Sequence, residues 1–371
     1  MKILFMTSHC HLPILFGGVE LTTDNLAHRC MRAGHEVAVL SSLGKGNDWF
    51  SFKSRMRTKF LPTGLAADGV CGYPVHRVWD PVKSIGDIAL YRKPDVAVIQ
   101  FGAQNSLAHA ALAAHIPIVY YLHDTRFDFK ATDRPILEQG RFIANSEFTA
   151  RALHDRTGCG SVIIPPLVEP ENYRNDAPGG AVLFVNPNPL KGLDVALSLA
   201  EQCPDIPFIF VESWGVLSDE LKKIIARRAG KLKNIEWLKP TGDMKPLYAR
   251  AKIVLAPSGA LYLGKPVDLV EAWGRIATEA HFSGIPVIAS NQGGLVESVG
   301  PGGILVDPNA EISIWKAALR SLWDDPQRYL EVSDQARRYS QRPENQPQKL
   351  FEDFIAVCQL AANGPRATFN W

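Results

Sequence analysis

Short runs of apolar residues alternate with amphipathic stretches along almost the whole chain. KILFMT (residues 2–7), EVAVLSS, YPVHRV, PDVAVIQ, PIVYYLH, RFIANS and SVIIPP are brief, rich in β-branched residues and bounded by polar, Gly or Pro positions. Between them, residues 20–33, 105–115 and 147–155 carry helical spacing, with Gly34 placed to cap the first. Unbroken β-branched runs separated by helices predict a parallel sheet covered on both faces.

LVEPENYRNDAPGGA (167–181) breaks this rhythm with Pro, Gly and polar residues, and predicts a linker. The alternation then restarts. AVLFVN, IPFIFVES, NIEWL, KIVLAPS, IPVIAS and GILVD predict strands, and 192–202, 219–229, 245–251 and 274–282 predict helices. The last part reads as three helices, 311–323, 326–340 and 349–362, forming a brace over the rest. The expected class is therefore α/β, with two Rossmann-like doubly wound domains, 1–168 and 169–345, followed by 346–371. Such sheets bind ligands beyond the carboxyl ends of their strands. Two of them facing each other would leave a cleft for a small molecule.

Composition narrows the picture by exclusion. With 371 residues, two domains are the default. A net charge of +2 lacks the basic excess of a nucleic-acid binder. Cys10, Cys30, Cys71, Cys159, Cys203 and Cys358 form no C-x-x-C pair, which suits reduced thiols and no zinc site. Ser8, His9 and His11 interrupt the apolar start, so it reads as a buried strand and not as a signal peptide. No run reaches the ~18 apolar residues of a membrane span. A cytoplasmic protein is expected.

Candidate chemistry gathers at predicted strand ends. In FGGVE (16–20), Gly17 and Gly18 precede a helix start, where free amides meet anions. A diphosphate or sugar contact and a tight turn are both compatible readings. The pattern is not G-x-G-x-x-G, which disfavours a nicotinamide cofactor. In NPNPLKG, Lys191 stands at a helix start as a point charge for a phosphate, or as an ordinary surface lysine. YYLHD places His123 and Asp124 at a strand end. EAWGRIATEAHFSGIPVIASNQGGLVE (271–297) carries Glu271 and Glu279 eight positions apart. With a helix starting near Trp273, that spacing spans roughly 12 Å, the reach of a nucleotide sugar from hexose to ribose. Carboxylates suit vicinal diols. Arg275 in the first turn is a cation where acids are preferred, placed to meet a phosphate.

These fragments resemble a known family. FGGVE, LAHRCMRAGHEVAVLS, FIANSEFTARAL, NPLKGLD, LYARAKIVLAPS and the E-x7-E segment with SGIPVIAS and GGLVE look like the retaining glycosyltransferases of family 4, with the GT-B fold. The resemblance runs from Lys2 to about Asp307. It implies that a C-terminal helix returns to the N-terminal domain. It implies that Glu279 holds the donor ribose, that Glu271 contacts the donor sugar at its reacting centre, and that Lys191 binds the diphosphate. Gly17 and Gly18 would line the donor phosphates and the acceptor entrance, and His123 would face the donor sugar. Gly293, Gly294 and Leu295 would offer backbone contacts, and Glu297 matches a frequent acid. One departure stands out: where many members carry Gly-Arg, this chain has Val185 and Asn186. Arg275 is the expected substitute for the missing charge.

The implied reaction is front-face transfer of a hexose, with retention, from a UDP- or GDP-type sugar to a hydroxyl of a glycan, lipid-linked or small-molecule acceptor. The nucleotide sugar is a co-substrate; no separate cofactor and no metal are expected. On the acceptor side stand Glu20, Asp124, Arg55 and Arg57. The last two lie in NDWFSFKSRMRTKF (47–60), whose cations and aromatics suit a peripheral contact at the inner face of a membrane, or a solvated surface loop. The alternatives are an epimerase of the same fold and a non-catalytic nucleotide-sugar binder. The base, sugar, acceptor and pathway are not written in these motifs.

Overall fold

The computed structural model describes residues 1–44, 49–60, 67–176, 179–213 and 219–364, with the backbone alone at 49, 57–60 and 219–221. The chain divides into two units. One comprises Met1–Leu167 with the segment from Pro347 onward, and the other is Val168–Gln346.

The first unit is built on an eight-stranded sheet. Its strands are β1 (Lys2–Thr7), β2 (Glu36–Ser42), β3 (Ala67–Asp68), β4 (Val75–Val78), β5 (Val96–Phe101), β6 (Ile118–Leu122), β7 (Arg141–Ala144) and β8 (Val162–Ile163). Their order is β3-β4-β2-β1-β5-β6-β7-β8. All pairs are parallel except β3 with β4. The chain's direction across the sheet reverses between β1 and β5, the switch point where doubly wound sheets open a crevice. Successive residues of β1 serve opposite faces, as strand geometry requires. Leu4 and Met6 enter one apolar cluster, while Ile3 and Phe5 enter the other.

The second unit carries six parallel strands: β9 (Ala181–Val185), β10 (Phe208–Val211), β11 (Ile235–Leu238), β12 (Ala251–Ala256), β13 (Val287–Ser290) and β14 (Gly303–Val306). Their order is β11-β10-β9-β12-β13-β14, with the reversal between β9 and β12. Val182 and Phe184 pack on one face and Leu183 on the other.

Three details differ from the sequence reading. Most of 167–181 is not a free connector: Leu167 lies in the core of the first unit, and Val168 and Tyr173 are buried in that of the second. A helix at Pro81–Arg92 went unread; Asp80 caps it by accepting from the Lys83 amide, and Pro81 occupies its first turn. The three final helices do not form one brace. Ile312–Trp323 and Pro326–Ser340 belong to the second unit, and Pro347–Ala362 to the first. That last helix turns Leu350, Phe351, Phe354, Val357 and Cys358 onto the face of the first sheet that carries Ile3 and Phe5, with Phe354 stacked on Phe5 at 5.9 Å between ring centres. Full burial of such a phenyl ring contributes roughly 1.5–3 kcal/mol.

Candidate active site

In the second unit the loops beyond β9, β12 and β13 gather polar side chains at the carboxyl edge of the sheet. Asn188 opens a single 3-10 turn, Pro189–Lys191, by accepting from the Lys191 amide at 3.2 Å. Gly192 then adopts φ +82°, and a Cβ there would stand 2.2 Å from the Pro257 carbonyl oxygen. Only glycine fits, and the turn brings the Lys191 ammonium onto the Glu271 carboxylate in a direct ion pair. Ser258, just beyond β12, donates to the same carboxylate oxygen at 2.8 Å.

Glu271 is held from behind by the glycine pair. Gly294 donates its amide to the Glu271 carbonyl at 2.8 Å, and a Cβ on it would lie 1.9 Å from the Ala272 carbonyl. The Gly294 amide is therefore engaged within the chain. Gly293 adopts φ +57° against the same backbone. Leu295 is buried and opens the helix Leu295–Val299. Glu297 gives its carbonyl to the Tyr339 hydroxyl at 2.7 Å.

The helix of the E-x7-E segment starts at Arg275, within a residue of the expected 274–282 and two residues past Trp273, because Gly274 takes φ +85° and is its N-cap. Half of the spacing between Glu271 and Glu279 is thus non-helical, and the 12 Å helical span does not apply. Arg275 and Glu279 are paired one turn apart, Nε to Oε1 at 3.0 Å, each side chain 9% exposed. Tyr248 donates to Glu279 Oε2 at 2.7 Å, and Arg275 reaches the Tyr173 hydroxyl at 3.1 Å. Burial alone would lower the Arg275 pKa, but Tyr173 and Glu279 outweigh it and keep the guanidinium charged. Burial, then the Glu279 charge, pushes Tyr173 up to about 12 and Tyr248 well above its ordinary value.

Asn186, directly after β9, has φ +64° and is 7% exposed. Its Oδ1 accepts from Asn188 at 2.8 Å, while its Nδ2 is buried with no partner among the described residues.

In the first unit Gly17 is the N-cap of the helix Gly18–Arg32. Glu20 curls back onto it: a Cβ on Gly17 would sit 2.4 Å from Glu20 Oε2. The carboxyl is buried beside Thr7, His11, Thr23 and Gln100, which line a small cavity. Burial pushes it up to about 7, against the opposing bonds from its own amide and that of Gly17. His123, beyond β6, shares a 2.9 Å hydrogen bond through Nε2 with Gln100 Oε1. An amide oxygen only accepts, so that ring nitrogen carries the proton. Asp124 pairs with Arg126 at 3.3 Å. Arg55 donates to the Gly44 carbonyl at 2.8 Å, within the helix Trp49–Phe60. Residues 47 and 48 and the Arg57 side chain lie outside the described residues.

The structure thus joins Lys191 to Glu271, Arg275 to Glu279, and Gly17 to Glu20. It adds Ser258, Tyr248, Tyr173 and Gln100, which the sequence reading did not single out. Among the described residues no three His, Cys, Asp or Glu side chains form a metal-binding group, and no helix is long and apolar enough to cross a membrane.

Two family models match: "Glycosyltransferase Family 4" over residues 16–172 and "Glycosyl transferases group 1" over residues 182–339. Together with the two-sheet fold they define the class, and the chain belongs to family 4 of the glycosyltransferases, with the GT-B fold. Among curated relatives, a D-inositol 3-phosphate glycosyltransferase of Rhodococcus erythropolis is 28% identical over 235 residues, 56% of this chain and 51% of that one. The chain spans about half the length of the curated relatives it matches. Among solved structures, HepE of Anabaena, in complex with UDP-glucose, has a TM-score of 0.71 at 22% identity, over 96% of this chain and 100% of that one. A glycosyltransferase from Rickettsia africae has a TM-score of 0.73 at 15% identity, over 98% and 99%. These two likenesses speak for the fold.

Proposed function

We propose that this protein transfers a hexosyl group from a nucleoside diphosphate sugar to an acceptor hydroxyl, retaining the anomeric configuration. The observation that carries this reading is the Lys191 ammonium held against Glu271 and Ser258 at the carboxyl edge of the second sheet. Lys191 would take the charge that develops on the departing diphosphate, and preorganised positive charge of this kind is usually the largest catalytic term. Glu271 would meet the donor sugar and Glu279 the ribose. The side-chain amide of Asn186, buried with no partner among the described residues, would serve as a neutral donor toward that diphosphate. In the first unit, Gly17 and Gly18 would present the helix start to a ligand, with Glu20 bonded back onto Gly17, and His123 offers a ring oriented by Gln100.

In the proposed reaction the acceptor oxygen attacks C1 on the face from which the diphosphate leaves. The bond from C1 to the diphosphate oxygen breaks and the bond from C1 to the acceptor oxygen forms. The acceptor proton passes to an oxygen of the leaving phosphate. A uridine nucleotide is favoured as donor by the UDP-glucose complex of HepE. The acceptor is a glycan, lipid-linked or small-molecule hydroxyl.

Calorimetric titration with UDP, GDP, ADP and dTDP, followed by donor hydrolysis and transfer assays, tests the reading. Binding of one diphosphate with slow hydrolysis of its sugar is expected. Binding without turnover on any acceptor would leave a binding protein.

The helix Trp49–Phe60 extends the proposal to a membrane surface, since Phe52 is 45% exposed beside Lys53. Flotation with anionic vesicles at low salt should retain the protein. An unbound protein would remove this extension.

A further inference from the structure

The arrangement around Glu279 assigns a task to residues that no family motif names. Glu279 is buried, and both carboxylate oxygens already accept hydrogen bonds, Oε1 from Arg275 and Oε2 from Tyr248. Arg275 is itself anchored, since it donates to the Tyr173 hydroxyl. The four side chains come from three places: the helix Arg275–His281, the helix Lys245–Arg250, and the stretch that opens the second unit. A carboxylate offers about four acceptor sites, so a site remains for a ligand hydroxyl while the bonds from Arg275 and Tyr248 fix the plane of the group.

We infer that Arg275 acts on the donor through Glu279 and not on the diphosphate. With Tyr248 and Tyr173 it is a positioning residue, holding the carboxylate aimed at the ribose diol. This rests on the reading that Glu279 meets the ribose, and it replaces the expectation that Arg275 supplies the missing phosphate charge. A guanidinium with its Nε on a buried carboxylate and an Nη on a buried tyrosine is committed by geometry. A carboxylate left without such partners in a buried place loses orientation and resists staying charged.

The two roles separate when the ribose hydroxyls are removed from the ligand. Wild type, R275Q, R275K and Y248F are titrated with UDP and with 2′,3′-dideoxy-UDP, or with the GDP or ADP pairs if those are the nucleotides bound. Melting curves report whether each variant is folded. Positioning predicts that R275Q weakens UDP about tenfold or more and that Y248F weakens it severalfold, as expected when one partner of a buried charged hydrogen bond is lost. For the dideoxy ligand both variants should match wild type within about twofold, because the coupling needs the hydroxyls. R275K, which keeps the charge, should fall between. An equal loss with both ligands means that Arg275 touches the diphosphate and overturns the inference, as does no loss with either. If R275Q does not fold, Y248F, which lacks only a hydroxyl, carries the test alone. The underlying reading fails separately: wild type would then bind no nucleoside diphosphate, or would bind the ribo and dideoxy ligands equally.

Discussion

The ammonium of Lys191 and the carboxylate of Glu271 are ion-paired across 80 positions of sequence, with side chains only 22% and 19% exposed. Each is the other's counter-charge when no donor is bound. A diphosphate entering this edge would compete for the lysine and release Glu271 toward the sugar.

K191A should therefore damage two things. Donor turnover should fall by about 10²-fold, the cost of one missing charge donor at a developing anion. Glu271 should also lose its counter-charge while keeping the Ser258 hydroxyl, lowering stability by roughly 1–3 kcal/mol. Urea unfolding and donor-hydrolysis rates read the two effects. Unchanged turnover would remove Lys191 from the site.

Glu20 should give stability a pH signature. Its carboxyl stands at about 7 when folded, above its ordinary value of 4.5. The folded state thus binds the extra proton, so this contribution is fully present below about 4.5 and is lost as pH rises through 7. E20Q keeps an acceptor for Gly17 and removes the titration, so it should gain on wild type between pH 5 and 8 by up to about 3 kcal/mol. His11 works the other way. Burial, then the Arg77 charge, lowers it to about 3, so its contribution is lost as pH falls below about 6.5. The difference between the E20Q and wild-type melting profiles isolates the carboxyl, and parallel profiles would refute the assignment.

G294A should disturb Glu271 without removing any polar group. The added methyl meets the Ala272 carbonyl at 1.9 Å, so backbone must move. A stability loss of roughly 1–3 kcal/mol with a larger fall in donor binding is expected. G69A, where nothing lies within 4 Å of the new atom, is the matched control. Equal behaviour of the two variants would contradict the packing described.

F354A should unfold the first unit more readily than the second. Removing a buried phenyl ring costs about 3–5 kcal/mol. Hydrogen exchange, which resolves local stability, should show the loss on β1, β5 and β6 and spare β9 to β14.

The parallel strands were legible because burial on both faces leaves unbroken apolar runs, as in residues 3–6 and 253–256. Lys191 and Glu271 were legible as individuals through glycine-rich turns at strand ends. Their contact was not, since it depends on Gly192 folding under Pro257. The helix over 274–282 was legible within a residue at each end, but the left-handed turn at Gly274 that separates Glu271 from it was not, because spacing does not reveal it. Tyr248 and Tyr173 were read only as a helix residue and a linker residue. Their hydroxyls matter because tertiary packing buries them against Glu279, and no local pattern records that. The helix Pro81–Arg92 had a usable signal in its Asp-Pro start, but its weak apolar stripe hid it.

The helix Pro347–Ala362 seals the face of the first sheet that carries Ile3 and Phe5, although the whole second unit precedes it in the chain. During synthesis the ring of Phe5 leaves the ribosome well before its partner Phe354, with the second unit emerging in between. The first unit must therefore wait, with one apolar flank uncovered, until residues 347–362 have been made, and a nascent chain stalled anywhere before residue 347 is a natural client for chaperones.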